Sequence, residues 1–449
     1  MPASASPAPA APAAVSFGEA LRFWLKLGFI GFGGPAGQIA LMHAELVERR
    51  RWISERRFLH ALNFCMLLPG PEAQQLATYI GWLMHRTLGG IVAGVLFVLP
   101  SLLILIVLSW VYVRFGTQPL VAGIFYGLKP AVTALVLHAA WRIGKRVLRH
   151  PALWVLAAAS FLATWLLRVP FPAIVVAAAL IGALAGRFAP QWFVQQRAAG
   201  FAAAGHGEAL VDDDTPTPEH ARIERARLAK VLGIGLLLWL TALGLLVAFG
   251  GWQGLLAQLG WFFTKAALLT FGGAYAVLPY VYQGAVEQHQ WLSAPQMIDG
   301  LALGETTPGP LIMVVAFVGF VAAWSQPVWG PDSALWSGAA AALVVTLFTF
   351  LPSFVFILAG GPLVEATHGR LGFTAPLTGV TAAVVGVILN LVLFFASHVL
   401  WPQGLVGPVD AAAAAMVVAA TLALLRWQVG VVALLLACAV AGLLLRLAS

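Results

Sequence analysis

Long stretches without charge recur along the chain, and they limit what it can fold into. The clearest of them, residues 232–250, contains no charged side chain. Comparable stretches lie at about 88–113, 119–141, 337–360, 374–400, 409–425 and 429–447, with two shorter ones near 152–167 and 171–186. Stretches of this length cross a bilayer as helices, because lipid offers no partners for free backbone groups. The sequence therefore predicts an all-α polytopic membrane protein.

Composition agrees with this fold class and excludes several functions. Only 9% of the residues are charged, against roughly 25% in a soluble domain. The two cysteines, Cys65 and Cys438, form no CxxC pair, so we expect no metal cluster, haem attachment or redox dithiol, and no cofactor. The net charge of +8 does not indicate nucleic acid, because most Lys and Arg lie between the apolar stretches, where they set membrane orientation.

One unit of sequence is written twice. Between positions 23–71 and the residues 239 positions later, 13 identities fall in one ungapped register, including Phe-Gly-Gly, Trp-x-Ser and Pro-Gly-Pro. The match resumes at an offset of 252, where Leu-Pro-Ser at 99–101 aligns with Leu-Pro-Ser at 351–353. Chance similarity between apolar segments would not reproduce these motifs together, so we predict an internal duplication.

The distribution of arginine indicates that the two repeats face opposite ways. The loop between Phe-Gly-Gly and Pro-Gly-Pro carries five Arg in the first repeat and neither Lys nor Arg in the second. Positively charged loops stay in the cytoplasm, so we predict inverted-topology repeats, as in secondary transporters. The predicted parts are a disordered leader (1–16), a first transporter repeat (17–188), a cytoplasmic linker (189–230), a topology-inverting span (231–250) and a second, inverted repeat (251–449).

The same rule predicts that some segments enter and leave on one side. The Arg-rich positions 49–57 and 142–149 should share a side, and the two full spans at 88–113 and 119–141 already make two crossings between residues 58–86 and 142–149. The Pro-Gly-Pro segments, and by inversion the Phe-Gly-Gly segments, are therefore expected to be broken or re-entrant helices. This interpretation gives nine spans and four hairpins; thirteen full spans are the alternative.

Four chain breaks at membrane depth predict a binding site. Irregular backbone survives there only when it is buried in protein or lines a cavity, and helix N-termini bind oxyanions. Packing kinks are the competing interpretation. The candidate residues are the glycines of Phe-Gly-Gly, the two Pro-Gly-Pro motifs and neutral hydrogen-bonding side chains near them: Gly33, Gly34, Gly272, Gly273, Pro69, Gly70, Pro71, Pro308, Gly309, Pro310, Thr306, Thr307 and Gln74.

Charged residues within the apolar sequence sharpen this prediction. Lys26 and Lys265 occupy the same repeat position, six residues before the Phe of Phe-Gly-Gly, and a lysine at the bilayer centre costs roughly 2.5–3.5 kcal/mol. Two cations suit a dianion, whereas snorkelling to an interface is the alternative. Lys129 is a further candidate without a cationic repeat partner. Glu72 and Glu305 beside the Pro-Gly-Pro motifs are candidates for proton coupling.

These duplicated motifs resemble the chromate ion transporter family in its long, two-domain form. The resemblance covers about residues 17–447. It implies export of chromate across the bacterial inner membrane by a multi-pass protein, resistance to chromate, and sulfate as a mimic of the substrate. The expected partners are thus chromate and membrane lipid, with a homodimer as an option. In the second repeat Leu311 stands where the first has Glu72, so the halves are not equivalent.

Two other functions stay open at this point, and two further ones are disfavoured. A carrier for sulfate or another tetrahedral oxyanion would need the same site as a chromate carrier, and a passive anion channel would need the same cavity. A membrane-embedded enzyme would need a nucleophile, a base or a metal cluster, and neither clustered carboxylates nor an HExxH motif occurs. An ATP-driven pump would need a phosphate-binding loop, GxxxxGK[ST], which is absent from the sequence.

Overall fold

The computed structural model describes residues 15–189, 209–213, 215–216, 218–367, 374–404 and 406–448, so most of the predicted leader and about half of the predicted linker lie outside the described residues. Apart from one isolated β-bridge, between Ile53 and Val211, the regular structure in this part of the chain is helical. The α-helices are α1 (Phe17–Ile30), α2 (Gly34–His43), α3 (Glu55–Cys65), α4 (Glu72–Phe115), α5 (Pro119–Val147), α6 (Pro151–Leu167), α7 (Phe171–Phe188), α8 (Arg225–Gly250), α9 (Leu255–Leu269), α10 (Ala274–Tyr282), α11 (Ala294–Thr306), α12 (Val314–Ser325), α13 (Ala334–Thr367), α14 (Thr374–Leu400), α15 (Ala411–Arg426) and α16 (Val431–Ala448). Short π-helical turns extend α2 (Ala44–Arg49) and α10 (Gln283–Gln288).

The fold is that of an all-α polytopic membrane protein. Within the described residues, seven of these helices are long and apolar enough to cross a membrane: α4, α5, α7, α8, α13, α14 and α16. Four shorter apolar segments, at α6, α9, α12 and α15, accompany them. This confirms the predicted fold class.

The longest helix, α4, is two helices joined by a sharp turn. His85 and Arg86 leave helical geometry, with Arg86 at φ 56° and ψ −159°. A Cβ on Gly81 would lie 2.5 Å from the Cβ of Ala93, and one on Gly90 would lie 2.9 Å from the Thr78 carbonyl oxygen. The first part of α4 therefore folds back along the second, and only glycine allows this approach.

The first repeat contains two hairpins whose ends lie together. Arg50, after α2, forms a 3.2 Å ion pair with Glu19 in the first turn of α1. Arg57 near the start of α3 and Tyr79 near the end of the first part of α4 both contact the carboxylate of Glu365. Each hairpin thus begins and ends on one face of the protein, as the re-entrant interpretation predicts.

The second repeat repeats this arrangement. The ring of Trp291, just after α10 and its π-turn, lies edge-on to the ring of Phe262 in α9, with centroids 5.4 Å apart. The approach of Gly300 to Phe317, and of Gly304 to Val314, shows that α12 runs back along α11. Each repeat therefore contributes one hairpin broken at Phe-Gly-Gly and one broken at Pro-Gly-Pro.

Two crossed hydrogen bonds join the breaks of opposite repeats. The backbone N–H of Gly309 donates to the carbonyl of Gly31 at 2.9 Å, and the N–H of Gly70 donates to the carbonyl of Thr270 at 2.8 Å. In the repeat register Gly31 is equivalent to Thr270 and Gly70 to Gly309, so the two bonds are symmetry equivalents. Each Pro-Gly-Pro turn is consequently completed by the Phe-Gly-Gly hairpin of the other half.

Long helices of each half also pack against helices of the other half. Helix α5 of the first half packs along α16 and α15, and the closest approach is that of Gly127 to Cys438 and Gly442. Helix α14 of the second half packs along α6 and α7, with Gly379 against Ala178. Neither half has its complete set of neighbours without the other.

The described part of the linker lies against the first repeat. Val211 donates its N–H to the carbonyl of Trp52 at 3.1 Å and accepts from the N–H of Ser54 at 3.0 Å. His220 places Nε2 3.1 Å from the carbonyl of Trp82, and burial there lowers the pKa of His220. This segment ties the loop between α2 and α3 to the turn within α4.

Candidate functional site

The second Phe-Gly-Gly turn faces groups from both halves. Gly272 (φ 82°) and Gly273 (φ 97°) adopt backbone conformations that side chains disfavour. A Cβ on Gly273 would lie 3.8 Å from Oε1 of Glu72, and a Cβ on Gly272 would lie 3.4 Å from Thr381. Glu72 is the first residue of α4, directly after the first Pro-Gly-Pro. The half-buried carboxylate of Glu72 therefore lies where two of the breaks meet.

The second candidate carboxylate reaches the same turn. Glu305, near the end of α11 and just before the second Pro-Gly-Pro, is only 8% exposed. Tyr275, two residues after Gly273, donates its hydroxyl proton to Oε1 of Glu305. Glu72 and Glu305 are not equivalent in the repeats, yet both lie beside the second Phe-Gly-Gly turn.

Two arginines of α5 supply the positive charge. The Arg142 guanidinium interacts electrostatically with both Glu72 and Glu305, and Arg146, one turn further along, interacts with Glu72. The Nη2 group of Arg146 also lies 3.3 Å from the sulfur of Met66, at the end of α3. Both arginine side chains keep substantial exposure, so they can meet a ligand that arrives from solvent.

This arrangement has the parts of an anion site. Guanidinium groups donate paired hydrogen bonds to oxyanions, and the N-terminus of α10, which begins at Ala274, adds free N–H groups. The carboxylates of Glu72 and Glu305 balance the arginines while no anion is bound. An entering dianion would compete with these carboxylates for Arg142.

The structure does not bring Lys26 and Lys265 together. Lys26 is exposed on the outer face of α1, beside the exposed side chains of Leu25 and Phe29. Lys265 is exposed on α9, with Nζ 5.7 Å from the ring centroid of Trp261. It lines a separate cavity of about 390 Å³, together with Tyr280, Gln283, Gly284, Gln288, Leu268, Leu269, Pro170 and Pro172.

The first Phe-Gly-Gly turn differs from the second in its surroundings. Gly33 (φ 89°) and Gly34 (φ 67°) also have positive φ, but no atom of the described residues crowds a Cβ on Gly34, and the nearest to one on Gly33 is 3.8 Å away. Phe32 is 39% exposed. Of the two turns, the second therefore has the closer contact with charged groups.

The Pro-Gly-Pro turns are enclosed by side chains of the opposite repeat. A Cβ on Gly309 (φ 102°) would lie 2.7 Å from the Cβ of Ser101, and a Cβ on Gly70 (φ 128°) would overlap Oγ of Ser353. Ser101 and Ser353 are the equivalent serines of the two Leu-Pro-Ser motifs. The flanking prolines, Pro69, Pro71, Pro308 and Pro310, belong to these same turns.

The neutral candidates mainly hold the breaks in shape. Thr306 and Thr307 donate their hydroxyls to the carbonyls of Leu303 and Gly304, each at 3.0 Å, which closes the end of α11. Gln74 is fully buried and donates to Oγ1 of Thr78 at 3.0 Å. Its Oε1 atom has no hydrogen-bond partner among the described residues.

Sequence reasoning missed the arginines of this site. The apolar stretch 119–141 ends where the charges begin, so Arg142 and Arg146 were assigned to a loop. In the structure α5 continues to Val147. The signal was helical spacing, because Arg142 and Arg146 are four residues apart and therefore share one face of α5.

A metal-dependent site finds no support in the described part of the chain, where no three His, Cys, Asp or Glu side chains are grouped to hold an ion.

Lys129, the further candidate from the sequence, has a partner in the structure. It forms a 3.5 Å ion pair with Asp299 of α11, a residue that sequence reasoning did not select.

Comparison with known proteins gives a consistent family. The profile of the family described as chromate transporter matches residues 18–183 and 257–443. The chain is 31% identical to the chromate transport protein of Cupriavidus metallidurans over 85% of this chain and 82% of that protein. It is 34% identical to the chromate transport protein of Pseudomonas aeruginosa over 84% and 81%, and 28% identical to a probable chromate transport protein of Synechococcus elongatus over 85% and 84%. No solved structure matches the chain.

Proposed function

The chain belongs to the chromate transporter family, and from this premise we propose that it is a secondary active transporter that exports chromate from the cytoplasm. Its spans place it in a membrane as a multi-pass protein, and we propose the bacterial inner membrane. Export of the toxic anion would confer resistance to chromate. The relatives named above are chromate transport proteins, and their coverage of most of the chain supports the same substrate here.

One observation carries the proposal: Arg142 interacts electrostatically with the carboxylates of both Glu72 and Glu305, and Glu72 lies beside the second Phe-Gly-Gly turn. Chromate is a tetrahedral dianion, and Arg142 with Arg146 would supply its two positive charges. The N–H groups that follow Gly273 would supply neutral donors. The other residues singled out at the breaks would shape the site, chiefly through the enclosed Pro-Gly-Pro turns.

The carboxylates give this site a means of coupling. A dianion at Arg142 would weaken the attraction of that guanidinium for Glu72 and Glu305, so anion binding would be linked to the protonation of both carboxylates. We propose Glu72 and Glu305 as residues of the coupling mechanism on this basis.

Chromate flux into everted membrane vesicles tests the proposal. Export in the cell appears as uptake in everted vesicles, and excess sulfate should inhibit it. Arg142→Gln should lower uptake roughly 10- to 100-fold, because a hydrogen bond to a charged group contributes about 1.5–3 kcal/mol. The matched control is Lys145→Gln, which removes a cation from the next turn of α5 and should leave uptake within about twofold of wild type.

Each alternative predicts a different result. Sulfate uptake in the absence of chromate uptake would identify a carrier for another tetrahedral oxyanion. Chromate flux that only follows the electrochemical gradient of chromate, and does not respond to a proton gradient, would indicate an anion channel. Equal uptake by Arg142→Gln and Lys145→Gln would show that the anion site lies elsewhere.

A further inference from the structure

An ion pair between a buried carboxylate and a half-buried lysine lies outside the anion site. Asp299 of α11 is 4% exposed, and its Oδ2 is 3.5 Å from Nζ of Lys129 on α5. The hydroxyl of Tyr112, near the end of α4, donates to the same oxygen at 2.9 Å. One carboxylate oxygen thus joins three helices of the membrane domain. An ionisable group in such surroundings is costly and indicates a function.

The second oxygen of this carboxylate lacks a partner. Oδ1 of Asp299 is buried and has no hydrogen bond to any described residue. An ionised carboxylate can accept about four hydrogen bonds, and here the contacts converge on Oδ2. Lys129 and Tyr112 are the titratable groups of the neighbouring helices that face it within the described part of the chain. A proton can therefore add to Oδ1 without first breaking a hydrogen bond.

The equivalent junction of the other half is built with different residues. In the repeat register, Asp299 corresponds to His60, Lys129 to Thr381, and Tyr112 to Val364. At that junction His60 places Nε2 2.8 Å from the carbonyl of Val364, and the next residue, Glu365, pairs with Arg57 at 3.4 Å. The aspartate, its lysine and its tyrosine are therefore particular to one half, as are the charged groups of the anion site.

The two helices that carry the ion pair also carry the anion site. On α11, Asp299 precedes Glu305 by six residues, which is about 9 Å of helix. On α5, Lys129 precedes Arg142 by thirteen residues, which is about 20 Å of helix. A change in the contact between Asp299 and Lys129 therefore acts on the helices that bring Glu305 and Arg142 together.

We propose that Asp299 is a proton-binding site that couples proton movement to anion transport. A proton that adds to Asp299 neutralises the carboxylate and releases Lys129, which loosens α5 from α11. Loss of the proton restores the ion pair and the packing of the two helices. The proposal rests on the proposed function, because it assigns a coupling step to an anion transporter.

Purified protein in liposomes separates coupling from binding. Exchange of labelled sulfate or chromate for the unlabelled anion needs no net proton movement, whereas uptake driven by a pH gradient does. Asp299→Asn should keep the rate of exchange within about threefold of wild type and should lower the uptake driven by the pH gradient at least tenfold. Lys129→Gln should move the pH of half-maximal uptake upward by roughly one unit, because a carboxylate without its cation binds a proton more readily.

The matched control is Asp410→Asn. Tyr126 donates to both carboxylate oxygens of Asp410 at 2.9 Å, but among the described residues no lysine pairs with them. Asparagine can also keep the hydrogen bond by which Asp410 caps α15. This variant should match wild type in both assays, which separates the loss of a tyrosine–aspartate contact from the loss of the proton site.

Several results would overturn the inference. An Asp299→Asn protein with the same gradient-driven uptake as Asp410→Asn would do so. The inference would also be overturned if Asp299→Asn lost both folded protein and anion exchange, and the double variant Asp299→Asn/Lys129→Gln restored both together with gradient-driven uptake. That is the behaviour of a structural ion pair. Wild-type exchange without any response to a pH gradient would refute the coupling site alone. Absence of all anion movement in folded wild type would refute the proposed function and, with it, this inference.

Discussion

The two Phe-Gly-Gly turns share a sequence and a positive φ at both glycines but differ in what surrounds them. The first turn, at Gly33 and Gly34, is open, and a Cβ on Gly34 would touch nothing. The second, at Gly272 and Gly273, is half-buried and lies beside Glu72 and Thr381. Duplication has therefore preserved the backbone of the breaks, while divergence has concentrated the charged groups at one of them.

The groups that brace the breaks differ in the opposite sense. Gln38 of the first repeat is fully buried and donates to the carbonyls of Gly31 and Gly309, bridging one crossed junction. Its equivalent in the second repeat is Val277, which cannot bridge the other. One junction is thus fastened by a neutral side chain, and the other leaves room for charged groups to meet. The comparison indicates that an asymmetric site can be built on a symmetric frame.

The largest effect should come from filling the enclosed turns. Gly309→Ala and Gly70→Ala each place a Cβ against a serine of the other repeat, at a φ that alanine disfavours. We expect a loss of about 2–5 kcal/mol of stability, from roughly 1–2 for the left-handed backbone and 1–3 for overpacking. Thermal unfolding of the purified protein, followed by tryptophan fluorescence, measures this loss.

The open first turn provides the control. Gly33→Ala has the same backbone cost of about 1–2 kcal/mol and no crowding, so its unfolding temperature should fall less. If Gly33→Ala lowers the unfolding temperature as much as Gly309→Ala does, the two turns do not differ in how tightly they are enclosed.

A smaller effect should follow when the braced junction is made to resemble the unbraced one. Gln38→Val removes two hydrogen bonds to buried carbonyls and one unpartnered oxygen, for a net loss of about 1–2 kcal/mol. The unfolding temperature should fall while anion transport by the remaining folded protein is kept. A loss of transport without a loss of stability would move the anion site to the first junction.

The smallest effect should come from the symmetric lysines. Lys26→Gln and Lys265→Gln, alone or together, should change chromate uptake by less than about threefold, because both side chains are exposed on separate surfaces away from Arg142. Uptake by everted vesicles at matched expression measures this. A loss comparable to that of Arg142→Gln would restore the lysines as the cations of the site.

Much of the frame could be predicted from the sequence. Uncharged stretches, paired motifs and the distribution of arginine together indicate the spans, the breaks and the re-entrant hairpins, because each reflects a local requirement of lipid or backbone. The charged contacts could not be predicted. Lys129 pairs with Asp299, and Arg142 comes within electrostatic range of Glu305, only through the packing of α5 on α11. Hydropathy also ends α5 six residues before the structure does.

Repeat symmetry selects different residues from those that the structure gathers at the second turn. Lys26 and Lys265 attracted attention because they are equivalent, yet the groups gathered at the second turn have no equivalents. In the repeat register, the residue equivalent to Glu72 is Leu311, the one equivalent to Glu305 is Met66, and the one equivalent to Arg142 is Phe394. A search for residues that break the register inside apolar sequence would have selected all of these acids and the arginine.

The crossed junctions also determine when the protein can be completed during synthesis. The N–H of Gly70 has its acceptor, the carbonyl of Thr270, only after some three-fifths of the chain has been translated. Until then the first repeat holds an unfinished break that lipid cannot satisfy. The order of translation thus makes the first repeat dependent on the second for the completion of its Pro-Gly-Pro turn.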